Sequence, residues 1–463
     1  MISAFKNIWN IPDLRRRVLF TFAMLGVYRI GGHIPTPGVD AAALKAMFEK
    51  QSEGILGFVD MFSGGYFSQL TIFALGIMPY ITASIILQLL TVIWPYLEKL
   101  SKEGEVGRKK ITQYTRYGTV ALSLVQSFGI ALWLEGSSTG EFGGIVYAPG
   151  WGFRLMTMLT LTTGTAFIMW LGEQISERGI GNGISLIIYA GIVVGFPGAV
   201  ISTYVMVRND ELSLIALLPL LAVMVAVVGA IVFVERAQRK IPIQYARRVV
   251  GRRVYGGAST YLPLRVNTGG VIPVIFASSM LAIPQTIGTF GALQDVGWVQ
   301  EILTQLNYGA PLYDLFYFGL IIFFCFFYVS IIFNPMDQAD NMKKYGGFIP
   351  GIRPGKKTAE YIDRILTRLT FGGAIYLGLV SLLPLLLIGG FPVQDLPWIG
   401  PAVADFLPSI VTDGLGVSFQ FGGTALLIVV GVAMDTVQQI ESQLIMRHYE
   451  GFLKGTRIRG RRG

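Results

Sequence analysis

The side chains able to do covalent or metal chemistry are few. The chain has one cysteine, Cys325, and two histidines, His33 and His448. Cys325 sits in Phe323-Phe324-Cys325-Phe326-Phe327 and reads as a buried packing residue, with no second cysteine for an internal disulfide. So few soft ligands, so far apart in sequence, give no reason to expect a zinc, haem or iron–sulfur site. They also leave no Ser/His/Asp or Cys/His arrangement for nucleophilic catalysis. Gly351-Ile352-Arg353-Pro354-Gly355-Lys356-Lys357 resembles a phosphate-binding loop only superficially. Its glycine spacing is wrong, and Lys357 stands where Ser or Thr should follow the lysine. No enzyme activity and no cofactor are expected, so any energy-consuming work must be driven by a partner or by the membrane potential. What remains is guanidinium chemistry. Arg247, Arg248, Arg252 and Arg253 crowd one polar stretch and Arg353 lies in the next. Such groups suit acidic protein faces and RNA phosphate alike. They equally suit simple retention of basic loops on one side of a membrane, with contact to lipid headgroups.

The elements that must position these groups are apolar. Of 463 residues, 52% are hydrophobic and 14% charged, against about 25% charged in soluble domains, and the mean hydropathy is +0.58. Runs of membrane-spanning length recur ten times, near 18–33, 72–94, 117–134, 155–172, 184–206, 214–234, 271–290, 313–333, 371–390 and 421–440. The longest polar connections, 235–270 and 334–370, are too short for a separate domain. Met1–Asp13 is mixed and no small-residue cleavage site follows the first run, so no secretory signal is expected.

Charge sets the orientation. When the N-terminal segment and every second loop are placed on one side, all but five of the 37 lysines and arginines fall there. The five are Arg29, Lys45, Lys50, Arg154 and Arg208. Lys/Arg bias governs topology, so both termini are expected in the cytoplasm. The net charge of +9 is then a matter of topology, and nucleic-acid binding has no independent support. The spans are nearly free of charge, with Asp314 and Asp435 near the ends of theirs. Proton- or ion-coupled transporters usually keep paired ionisable groups at mid-membrane. Pro79, Pro197, Pro219, Pro273, Pro284 and Pro384 each remove a backbone donor and favour a kink.

Ile55–Leu70 is the odd piece. It is apolar but too short to span, and Asp60, Ser63, Gly64 and Gly65 interrupt it. It reads either as a re-entrant segment buried in protein or lining a water-filled cavity, or as a short surface helix in an outer loop.

Four stretches carry a family resemblance. Ala74-Leu75-Gly76-Ile77-Met78-Pro79-Tyr80-Ile81-Thr82-Ala83-Ser84-Ile85-Ile86-Leu87-Gln88-Leu89-Leu90 resembles the first signature of the SecY family, the central subunits of the bacterial Sec translocon. Trp170-Leu171-Gly172-Glu173-Gln174-Ile175-Ser176-Glu177-Arg178-Gly179-Ile180-Gly181-Asn182-Gly183-Ile184-Ser185 resembles the second. Gly347–Gly355 and Phe421–Val430 are also similar, and the resemblance covers essentially the whole chain. The outer segment Phe391–Gln420 departs from it by its length. The family implies an all-α, ten-span membrane protein whose two five-helix halves, here 1–206 and 207–463, enclose an hourglass pore. It implies a protein-conducting channel.

The resemblance also assigns roles. An apolar pore ring carries over to Ile77, Ile81, Ile184, Ile188, Ile275 and Ile428. Ile77/Ile81 and Ile184/Ile188 are i,i+4 pairs that can each point one way, although spacing alone fits lipid-facing or packing residues as well. A plug carries over to about Ile55–Leu70, with Ile55, Leu56, Val59, Met61, Phe62, Ser63, Gly64, Gly65 and Phe67. A gate opening sideways lies between spans two and three and spans seven and eight. Thr82, Gln126 and Asn267 are uncharged polar groups near it, or simply satisfied helix–helix contacts. Arg252, Arg253 and Arg353 are implied to dock the SecA motor or the ribosome. SecE-like and SecG-like small membrane subunits, signal peptides, nascent chains and anionic lipid headgroups complete the implied partners. Two other classes fit the residues less well: an ion-coupled secondary transporter, which lacks its mid-membrane charges here, and an intramembrane enzyme, which lacks a catalytic dyad or metal ligands inside the spans.

Overall fold

The computed structural model describes residues 11–50, 60, 63–138, 144–209, 214–245, 248–250, 253–255, 259–288, 305–306, 310–389 and 423–455. The segment Phe391–Gln420 lies outside them. The helices are α1 (Pro12–Gly31), α2 (Ala41–Lys50), α3 (Met78–Ile93), α4 (Pro95–Lys102), α5 (Glu105–Ser138), α6 (Trp151–Arg178), α7 (Gly183–Arg208), α8 (Leu214–Arg236), α9 (Ile272–Gly288), α10 (Pro311–Ile332), α11 (Pro335–Lys344), α12 (Lys356–Gly389) and α13 (Gly423–Gly455). Each of the ten apolar runs falls on one of these helices, with one correction. The run 72–94 is helical only from Met78, because its first six residues are spent in turns that include Gly76 at φ +56°. Among the described residues six helices are long and apolar enough to cross a membrane, and the bent pair α3–α4 adds a seventh.

Pro197 and Pro284 lie inside α7 and α9, but Pro79 acts at a helix end. Pro79 opens α3 in its first turn, where the missing N–H costs nothing, so it starts that span and does not kink it. The sharp bend is at Trp94, where α3 gives way to α4 at 99°. Pro95 forces the preceding residue out of the helical region, and Trp94 is extended at φ −100°, ψ 111°.

The chain packs as two compact units. The first comprises Met1–Ile201, Ala282–Asn307 and Val432–Gly463. In it α5 packs along both α3 and α6. Thr115, Thr119, Ser123 and Ser127 form a buried stripe along α5. Each hydroxyl donates to a carbonyl three or four residues back in its own helix, so small polar residues sit against neighbours without unpaired groups. A second core gathers Leu44 and Phe48 of α2, Phe67 and Leu70, Leu134 of α5 and Leu161 of α6.

The second unit comprises Ser202–Leu281 and Tyr308–Gly431. Its α10 packs along α12. The spans are helical as expected, but the stretch 235–270 is not an irregular loop. It contains strands β1 (Gln238–Tyr245), β2 (Arg248–Val250), β3 (Arg253–Tyr255) and β4 (Ser259–Arg265), and β5 (Gly347–Phe348) joins from the next connection. The order β4-β1-β5 is antiparallel throughout. Alternation explains it: Ile241 and Ile243 are buried while Lys240, Pro242 and Gln244 are exposed. Ile241, Ile243 and Leu264 pack with Met342, Ile349 and Ile362, each worth roughly 1.5–3 kcal/mol of burial. The two large basic connections are therefore one folded piece.

Candidate functional site

The first signature places Ile77 and Ile81. Ile77 caps α3 in helical geometry, and its carbonyl accepts from Ile81 N at 3.1 Å. That bond closes one helical turn, so the two side chains share a face. Both are 3% exposed.

The second signature is a tight turn between α6 and α7. Ser176 Oγ donates to Gly172 O at 2.9 Å and accepts from Gly183 N at 2.9 Å. Asn182 Oδ1 caps α7 by accepting from Ile184 N at 3.1 Å. A Cβ on Gly183 would collide with the Gly172 carbonyl, which is why glycine is required where the two helices meet. The turn is tied further by Ile180 N to Thr21 Oγ1 at 3.0 Å and Gly181 N to Gln439 Oε1 at 3.0 Å. This frame fixes the first turns of α7, which carry Ile184 and Ile188; Ile188 is buried and Ile184 half-buried. In the other unit Ile275 lies on α9 and Ile428 on α13, both buried.

Of the plug residues, Ile55, Leu56, Val59, Met61 and Phe62 lie outside the described residues. Ser63, Gly64, Gly65 and Phe67 are seen. Asp60 organises their turn: its Oδ1 accepts from Ser68 N at 2.8 Å, and its carbonyl accepts from Ser63 Oγ and Gly65 N, both at 2.9 Å. Burial raises the Asp60 carboxyl above its ordinary range, partly offset by the bonds from Ser68, Phe67 and Ser63. Phe67 and Leu70 belong to the core around Leu44 and Leu134, and Phe67 meets Phe48 edge-on at 5.5 Å. Ile55–Leu70 is therefore not displaceable as a whole. Its last residues are core because they are the large apolar ones facing α2 and α5.

The three gate candidates differ. Thr82 is buried on α3 and Gln126 half-buried on α5. Asn267 is 4% exposed, and its amide nitrogen is engaged: Nδ2 donates to Glu235 Oε1 at 2.6 Å and to Gly270 O at 3.2 Å. Glu235, 6% exposed at the end of α8, was not read from the sequence as part of any site. No local pattern links positions 235 and 267; only the sheet between them brings them together. Of the docking candidates, Arg252 lies outside the described residues, and the backbone of Arg253 is in β3 opposite Val250. Arg353 is exposed on a turn whose carbonyl accepts from the buried Thr358 hydroxyl at 3.0 Å.

The SecY family profile matches residues 71–437. The protein translocase subunit SecY of Escherichia coli (strain K12) is 48% identical over 452 residues, 97% of this chain and 96% of that one. That of Streptomyces coelicolor is 48% identical over 463 residues, 98% and 100% of the two chains. Among solved structures, "The structure of a protein conducting channel" has the same fold at TM-score 0.64 and 19% identity, covering 93% of both chains. "The plug domain of the SecY protein stablizes the closed state of the translocation channel and maintains a membrane seal" matches at TM-score 0.63 and 20% identity, covering 93% and 92%. The transporter alternative is overturned by these likenesses. Near-complete coverage at such identity, on a helical fold with several membrane-spanning helices, leaves one conclusion: the chain belongs to the SecY family.

Proposed function

We propose that the chain forms the channel through which unfolded secretory proteins cross the bacterial cytoplasmic membrane, and from which membrane segments leave sideways into lipid. The observation that carries this is the 48% identity to a protein translocase subunit over 97% of the chain. In this reading residues 1–206 and 207–463 are the two halves, and both termini are cytoplasmic. Ile77, Ile81, Ile184, Ile188, Ile275 and Ile428 form the constriction. A narrow apolar ring dewets and blocks ions, and it offers a passing chain no fixed hydrogen bonds. The segment 55–65 backs the seal as a plug. Thr82, Gln126 and Asn267 stand at the lateral gate. There, sorting is largely partition: a ten-residue apolar signal core gains roughly 3–6 kcal/mol in lipid, while one central Arg costs about 2.5–3.5 kcal/mol.

The partners are SecE-like and SecG-like subunits, the SecA motor, the ribosome, signal peptides and nascent chains, with anionic lipid at the cytoplasmic face. Arg252, Arg253 and Arg353 are the docking groups. Pairing of β1 with both β4 and β5 supports treating them as one surface.

The test is reconstitution with the two small subunits in vesicles. A SecA-driven precursor should be taken up. Replacing two or more of the six isoleucines by Asn or Gly should raise the resting ion conductance in planar bilayers. Folded variants as tight as the parent would overturn the ring; no uptake by the parent complex would overturn the function.

A further inference from the structure

Among the described residues, the turn 60–68 meets α1 and α7 at two backbone points that none of the roles above uses. Tyr28 of α1 is buried, and its hydroxyl donates to Ser63 O at 3.2 Å. Its ring is braced by Tyr66 edge-on at 5.4 Å and by Phe73 stacked at 5.8 Å, so the hydroxyl is held in position. The second point is on α7. Gly64 takes the left-handed conformation at φ +81°, and a Cβ built there would stand 2.9 Å from Gly191 Cα. Two glycine backbones meet there with no side chain between them. Position 191 follows Ile184 and Ile188 by seven and three residues, so Gly191 shares their face of α7. The turn therefore rests directly beyond Ile188, on the side away from Gly183.

We propose that Tyr28 and Gly191 are the seat that holds the turn 63–65 against the constriction, and that they set how easily it leaves. The proposal rests on the reading of 55–65 as a plug. Both are positioning residues: neither need touch a translocating chain. The logic is steric at one point and polar at the other. Gly191 allows the turn to come within backbone contact of α7, close enough to leave no gap for a water file. Tyr28 supplies one hydrogen bond to the Ser63 carbonyl. Both contacts are short-range, so a displacement of residues 63–65 by a few ångströms breaks both.

Gly64 and Gly65 provide a matched pair of probes. Gly65 has nearly the same φ, +80°, and nothing lies within 4 Å of its Cβ position. Gly64→Ala and Gly65→Ala therefore impose the same left-handed strain and differ in the contact with Gly191. The readout is the opening frequency of the assembled full-length channel in planar bilayers without substrate, alongside its melting temperature. The expected result is that Gly64→Ala opens at least ten times as often as Gly65→Ala at similar melting temperature. Tyr28→Phe, which loses a single oxygen, should open several times as often as the parent. Deletion of 55–65 should leak freely. If the deletion leaks but Gly64→Ala matches Gly65→Ala and Tyr28→Phe matches the parent, the seat is wrong and the plug stands. If the deletion is as tight as the parent, the plug reading itself fails. If Gly64→Ala does not assemble, Tyr28→Phe decides.

Discussion

Arg116 grips Glu173 through two parallel bonds, Nε to Oε1 and Nη2 to Oε2, both 2.8 Å long. At the other end of the same helix pair, Glu135 accepts from Arg154 Nε and Nη2 at 2.8 and 2.7 Å and from Gly150 N at 2.8 Å. Positions 116 and 135 of α5, and 154 and 173 of α6, are each nineteen residues apart. At a rise of about 1.5 Å per residue that is roughly 28 Å, close to the ~30 Å of a bilayer's hydrocarbon core. The two ion pairs thus bracket the apolar length of the α5–α6 hairpin.

The two ends differ in exposure, which gives a first prediction. The Arg116 and Glu173 side chains are 46% and 15% exposed, so Arg116→Ala should cost only about 0–1 kcal/mol. Arg154 and Glu135 are 27% and 11% exposed, and Glu135→Ala also strips Gly150 N of its acceptor. That change should cost about 1–3 kcal/mol, with partial recovery in the Glu135→Arg/Arg154→Glu exchange. Thermal unfolding of the purified protein is the measurement. Equal losses at both ends would contradict the exposure argument.

The spans were legible because ten apolar runs of bilayer length leave little choice of element, and the pairs Ile77/Ile81 and Ile184/Ile188 carry helical phase in their spacing. Helix lengths were not. α5 starts at Glu105, well before its apolar run begins near 117, because Arg108, Lys109, Lys110, Gln113 and Arg116 are good helix formers that need no lipid. The strands were not legible because β1 is charged at its start and holds Pro242, which argues against a strand; the buried Ile241 and Ile243 override it. The ion pairs and Glu235–Asn267 join positions far apart in sequence, so only packing reveals them.

Asn267 should act as a brace. Asn267→Leu leaves a buried Glu235 without its 2.6 Å donor and should lower stability by about 1–3 kcal/mol. Asn267→Asp should be worse, since it sets a second carboxylate against the first. An unchanged denaturation midpoint in both variants would show that this bond holds nothing.

Asp60 predicts a pH dependence. Burial raises its folded pKa above the ordinary value of 3.8. A carboxyl raised in this way adds stability that is complete below its unfolded pKa and is lost as pH rises through the folded one. The turn should therefore be held most firmly at acid pH and loosen as the carboxyl ionises. Asp60→Asn keeps an acceptor for Ser68 N and removes the charge. Its resting conductance should lose the parent's rise with pH. A parallel rise in both proteins would assign the effect to other groups.

Topology is testable by labelling. Single cysteines in 235–270 and in 391–420, placed in a Cys325→Ser background, should react from opposite sides of intact cells, the second from outside. Labelling of the first from outside would refute cytoplasmic termini.

The last prediction concerns Arg353. Its turn is rigid: Gly351 and Gly355 hold φ +79° and +100°, Ile349 is buried beneath it, and Thr358 ties its carbonyl. A guanidinium on such a support offers a planar five-donor fork that lysine cannot reproduce. The chain is read as having no nucleotide site, so force must arrive through a cytoplasmic partner; the sheet joins this turn's neighbour β5 to β1, while Arg253 lies on the separate β2–β3 ribbon. Arg353→Glu should leave the amount of assembled channel unchanged, because the side chain is exposed and outside the spans. Uptake of a secretory precursor into vesicles and the translocation-stimulated ATPase rate of added SecA should both fall at least tenfold. Arg353→Lys should retain part of each. Thr358→Val, which frees the Arg353 carbonyl without touching its charge, should fall between the parent and Arg353→Glu. If uptake persists at the parent rate in Arg353→Glu and in the Arg252→Glu/Arg253→Glu pair, these arginines serve only to keep their loops on the cytoplasmic side.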